Sequence, residues 1–139
     1  MTKTINENSS IFQQIWRQIE RHKRFLFAVY LLGLFTAHVI NTGDEVDLNN
    51  FFLGIRVDHW VHGSLFLPLG ILAPLVIENR PKLVLTMIFC SLFFETLQYF
   101  LPYRSFDWTD IRADVCGTLI GLLFYWMLKK WLISDFKKE

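Results

Sequence analysis

Four apolar runs, residues 25–40, 58–77, 83–101 and 115–133, are separated by short polar breaks, more apolar sequence than a soluble domain of 139 residues can bury. A helix needs about 20 such residues to cross the hydrocarbon of a bilayer. The last three runs reach that length, whereas the first, FLFAVYLLGLFTAHVI, has 16 and needs flanking residues to complete a crossing. The expectation is an all-α polytopic membrane protein with four transmembrane helices. Composition agrees: 53% of residues are hydrophobic and only 19% are charged. A net charge of +1, with no basic stripe, argues against a nucleic-acid partner and leaves the lipid bilayer as the main one.

The sequence divides into a cytoplasmic N-terminal segment (1–24), a four-helix membrane domain (25–133) and a cytoplasmic tail (134–139). Residues 1–10 are polar and are expected to fray. Ile11, Phe12, Ile15, Trp16 and Ile19 then recur at helical spacing beside Arg17, Arg21, Lys23 and Arg24. This predicts a short amphipathic helix lying on an anionic leaflet before the chain turns inward. The first run has no A-x-A-like cleavage site, so it is read as a retained anchor. The patch FFLGI at 51–55 is too short to span, and either dips into the interface or covers the bundle. Pro68 and Pro74 fall inside the second run, which membrane helices tolerate. Cys90 and Cys116 read as small buried hydrophobes with no zinc spacing and no disulfide.

Lys and Arg set the orientation. Arg17, Arg21, Lys23, Arg24, Arg80, Lys82, Lys129, Lys130, Lys137 and Lys138 flank one side, and Arg56, Arg104 and Arg112 the other, ten against three. Both termini are therefore expected on the cytoplasmic side of the membrane.

That orientation brings polar residues to one outer level. Asp58 and His62, four apart, share a helix face; either the carboxylate fixes the imidazole or Asp58 merely caps the helix. Glu95 and Gln98 lie in the outer part of the third run, where Glu95 is neutral, paired with Arg104, or open to a cleft. Asp110 and Asp114, again four apart, lead into the fourth run. Asp107, Arg112 and His59 read as solvent or interface residues. Gly117 and Gly121 form a small-xxx-small pair for helix packing, within the chain or, with Gly70, at a dimer seam. No HExxH, compact ligand cluster, phosphate loop or Ser-centred elbow is present, so no metal or other cofactor is expected.

These residues resemble the VanZ-like family of small bacterial membrane proteins, named for an accessory glycopeptide-resistance protein that favours teicoplanin resistance. The family's Asp-Lys-x-x-His is matched by Asp58, His59 and His62, with His59 where Lys is usual. Its Glu-x-x-Gln is matched by Glu95 and Gln98. Its Pro-Gly-Arg turn is matched by Pro102, Tyr103 and Arg104, and its Asp-x-x-x-Asn-x-x-Gly by Asp110, Asp114 and Gly117. The resemblance covers roughly residues 25–130 and implies a cell-envelope context without fixing a reaction.

The function expected from the residues is binding or processing of an anionic lipid-linked envelope molecule, a phospholipid or a cell-wall precursor. Arg104 would hold phosphate, His62 with Asp58 would move a proton, and Glu95 would position Arg104. The alternative is a non-enzymatic membrane scaffold whose polar cluster joins helices or presents a surface to a partner. A proton relay is a weaker third reading, because no row of ionisable groups reaches the cytoplasmic side.

Overall fold

The computed structural model describes residues 2–40, 50–104 and 106–136. The acidic stretch within 41–49 and the basic residues of 137–139 lie outside the described residues. The chain forms α1 (Thr2–Val39), a hairpin of β1 (Phe51–Phe52) and β2 (Ile55–Arg56), then α2 (Val57–Val76), α3 (Arg80–Tyr99) and α4 (Trp108–Phe136). The described fold is thus four helices with one short hairpin. Among the described residues, α2, α3 and residues 108–132 of α4 are long and apolar enough to cross a membrane.

The N-terminal region differs from the sequence reading. The expected frayed end, interfacial helix and separate first span form one continuous helix from Thr2 to Val39. The segment holds no proline, and its first glycine is Gly33. Polarity changes at Arg24–Phe25, but a change of polarity does not break backbone hydrogen bonding; a chain with no stop signal continues.

Each later helix has a readable start or stop. Asn79 caps α3, its Oδ1 accepting from Lys82 N at 3.0 Å, and Pro81 occupies the first turn, where no amide donor is needed. Asp107 caps α4, its Oδ1 accepting from the Thr109 amide at 2.8 Å and the Thr109 hydroxyl at 2.6 Å. Because of this cap α4 begins at Trp108, well before residue 115, and Asp110 and Asp114 are helical residues. The hairpin turns on Leu53 and Gly54, both at positive φ, 52° and 77°. Phe51, Phe52 and Leu53 point outward, so FFLGI does not cover the bundle.

The closest packing is between α2 and α4. A Cβ on Gly117 would strike the Gly63 carbonyl, one on Gly121 the Leu67 carbonyl, and one on Gly70 the backbone of Thr118, Gly121 and Leu122. The match of 63 with 117 and 67 with 121 makes the helices parallel, with their N-termini at the same end. The sequence had left Gly70, Gly117 and Gly121 open between chain and dimer; in the structure all three press α2 and α4 together. α1 and α3 close the bundle around Leu34, Phe66, Leu69, Ala73, Met87 and Phe94. Tyr30 Oη donates to the Leu65 carbonyl at 2.8 Å, and Tyr103 Oη donates to the Val39 carbonyl at 2.5 Å, closing the end of α1. Leu85, Phe89, Leu119 and Leu123 face outward, the arrangement expected where lipid replaces water.

Candidate functional site

The N-terminal ends of α2 and α4, the end of α3 and the end of α1 meet at one end of the bundle. Asp58 and His62 enter on one face of α2, Asp110 and Asp114 on the facing side of α4, Glu95 from α3 and His38 from α1. All six are buried.

His62 is the centre. Its Nδ1 lies 2.9 Å from Asp114 Oδ1, a side-chain bridge from α2 to α4. A carboxylate there fixes the proton on Nδ1 and leaves Nε2 as the free ring atom. Nε2 faces Asp58 Oδ1 at 3.9 Å and Asp110 Oδ2 at 3.8 Å, both beyond hydrogen-bond length. The expected Asp58–His62 pair is therefore not made, because α4 brings Asp114 closer. Asp58 Oδ2 instead receives Arg56 Nη2 at 3.1 Å.

Arg56 also reaches Asp107 Oδ2 at 3.0 Å. It ties the hairpin to both helices, a role that its isolated position in the sequence did not reveal. Asp107, expected in solvent, is half-buried and fully used. The Thr109 hydroxyl and amide, with Arg56, hold its carboxyl below the usual range. Its own amide donates to Glu95 Oε1 at 2.6 Å, so Glu95 is fixed by backbone rather than by Arg104. Arg104 is half-buried and makes no ion pair among the described residues.

His59 is not a simple interface residue either. Thr109 spends its hydroxyl proton on Asp107, so its oxygen accepts from His59 Nε2 at 2.9 Å. The same nitrogen is 3.4 Å from Asp110 Oδ1. Gln98 is buried at the same end but makes no side-chain hydrogen bond to the cluster among the described residues. His38 was missed, although a lone histidine inside an apolar run is a signal in its own right. It is 1% exposed, its Nδ1 donates to the Leu34 carbonyl at 2.8 Å, and its ring meets that of His62 edge-on at 5.5 Å.

Several buried polar atoms make no hydrogen bond among the described residues: His38 Nε2, Glu95 Oε2, Asp110 Oδ1, Asp114 Oδ2 and Thr118 Oγ1. Such atoms are rare in folded proteins, and a cluster of them marks a place where water or a ligand completes the bonding. Two groups have the spacing to hold a cation, Asp58 with His62 and Asp110, and His59 with Asp107 and Asp110.

A groove of about 450 Å³ opens beside this cluster between α2 and α4. His59, Thr109 and Arg112 line it at the polar end, and Leu67, Cys116 and Ile120 further along the helices. Cys116, expected to be buried, is exposed on this wall. Arg112, expected only in solvent, stands at the mouth.

Apolar helices closed over a polar cluster at one end describe a membrane protein with a buried polar cluster. A family model described as VanZ/LLP1 matches residues 2–129, and the chain belongs to that family. No curated protein and no solved structure matches it significantly.

Proposed function

We propose that this protein binds or processes an anionic lipid-linked molecule of the bacterial envelope, a phospholipid or a cell-wall precursor, at the outer level of the cytoplasmic membrane. The observation that carries the reading is the groove. Its apolar wall suits a hydrocarbon or isoprenoid chain, and its mouth offers Arg112, Thr109 and His59 to an anionic head group. Arg112, rather than Arg104, takes the phosphate-holding role. His62 Nε2 is the proton acceptor, oriented by Asp114, and Glu95 holds the loop before α4 in place.

The proposed topology uses the C-terminal part of α1 as a fourth span and puts both termini in the cytoplasm. The Lys/Arg distribution supports it, and the parallel course of α2 and α4 agrees with α2, α3 and α4 crossing in turn. At about 1.5 Å per residue α1 is about 57 Å long, so its basic N-terminal half extends beyond a bilayer.

The test is complementation of a chromosomal deletion under envelope stress, teicoplanin included, with membrane levels measured by immunoblot. Arg112→Ala, His62→Ala and Glu95→Ala should fail at normal protein level, with altered phospholipid or precursor profiles. Full complementation by all three, with unchanged profiles, would sink the reading.

The scaffold reading has its own support. His62–Asp114 links α2 to α4, and Glu95 links α3 to the start of α4. If cluster variants lose thermal stability in detergent in proportion to their loss of phenotype, the polar groups serve to join helices.

A further inference from the structure

We infer that Asp58, His62 and Asp110 form a binding site for a divalent metal cation. The tautomer comes first: Nδ1 of His62 is committed to Asp114, which turns the Nε2 lone pair toward Asp58 Oδ1 and Asp110 Oδ2. A lone pair facing two carboxylate oxygens is repulsive unless something positive lies between them. The gaps of 3.9 and 3.8 Å are too long for hydrogen bonds. Ligand atoms that share one ion, each about 2.0–2.2 Å from it, stand about 3–4 Å from one another, and these gaps fall in that range. A ligating histidine whose other nitrogen donates to a carboxylate is the usual support of a metal centre, and Asp114 supplies it here.

Charge and burial add a second line. Asp58, Glu95, Asp107, Asp110 and Asp114 are five carboxylates, and Arg56 is the one guanidinium that pairs with any of them among the described residues. Asp110 is 3% exposed and neither of its oxygens makes a hydrogen bond among the described residues; Oδ1 stands 3.4 Å from His59 Nε2 and Oδ2 faces His62 Nε2. Bound cation would satisfy oxygens that the protein leaves open. The neighbouring group of His59, Asp107 and Asp110 is the poorer site. His59 Nε2 must carry a proton to donate to Thr109, and Asp107 is already held by Thr109 and Arg56.

One imidazole with carboxylates is a mixed nitrogen and oxygen set that suits Mn²⁺, Fe²⁺ or Zn²⁺. The site rests on cluster geometry; an ion here would occupy Nε2, so the lipid reading would then keep the groove and lose proton transfer at His62. Its test uses the full chain in detergent micelles, stripped with EDTA, dialysed and titrated with MnCl₂, with free Mn²⁺ read by electron paramagnetic resonance. One ion per chain should bind and be displaced by Zn²⁺. Asp110→Asn and His62→Ala should abolish stoichiometric binding while helical circular dichroism is retained. Asp114→Asn keeps all three ligands and should weaken binding about 10–100-fold. No binding by the wild type at millimolar Mn²⁺ would overturn the site whatever the variants do, and so would binding that persists in both ligand variants. Because the ion itself is the readout, failure here leaves the lipid reading standing, and failed lipid complementation leaves the metal result standing.

Discussion

The two ends of the α2–α4 contact are built on opposite principles. Along the glycine seam the backbones touch, and no atom can be added at Gly70, Gly117 or Gly121 without moving a helix. At the end that holds the N-termini of both helices, His62 Nε2 stands 3.8–3.9 Å from two carboxylate oxygens, and several buried oxygens lack hydrogen-bond partners. The tight end makes the loose end possible. Helices registered by backbone contact do not need a perfected hydrogen-bond network to define their spacing, so the polar end is free to stay incomplete for a ligand.

The largest effect should follow from breaking the seam. Gly117→Leu drives a side chain into the Gly63 carbonyl and should abolish monodisperse, folded protein, as read by size-exclusion chromatography in detergent. A second test separates pairing from burial at the other end. His62→Phe leaves Asp114 buried without its partner and should cost about 3–5 kcal/mol in unfolding titrations. The double variant His62→Phe/Asp114→Leu should recover most of that loss; if it does not, the pair contributes more than mutual compensation.

These comparisons also mark what the sequence made legible. Periodicity and run length identified the helices crossing 58–77, 83–101 and 115–133, and the spacing of Asp110 with Asp114 put them on one face. What stayed hidden were partnerships set by three-dimensional docking. Arg56 meets Asp107 across 51 positions and His62 meets Asp114 across 52, and no local spacing encodes either. The continuous α1 was hidden for another reason, since polarity change was read as a boundary where backbone chemistry has none. Asp107 looked like a solvent residue because nothing in FDWTD shows that its amide will serve Glu95.

Smaller effects sharpen the contrast. Glu95→Gln keeps an oxygen for the Asp107 amide and should leave both the melting temperature and complementation nearly unchanged. Asp107→Ala removes the α4 cap and should cost about 1 kcal/mol. Its pH dependence has a defined sign. The carboxyl is held below its usual range in the folded state, so its stabilisation is present above the unfolded value of about 3.9 and fades as acid carries the pH down through the lowered folded value. Melting of wild type and Asp107→Ala should therefore converge only in strong acid. Smallest of all, Leu53→Gly removes a left-handed leucine and should relieve about 1 kcal/mol of hairpin strain, seen as a slightly higher melting temperature.

The unbroken α1 has a mechanical consequence. A helix 38 residues long whose Val39 end is pinned by Tyr103 and packed through His38 against His62 carries any tilt at that end along its whole length, so a label near Thr2 would read out the polar site from about 57 Å away.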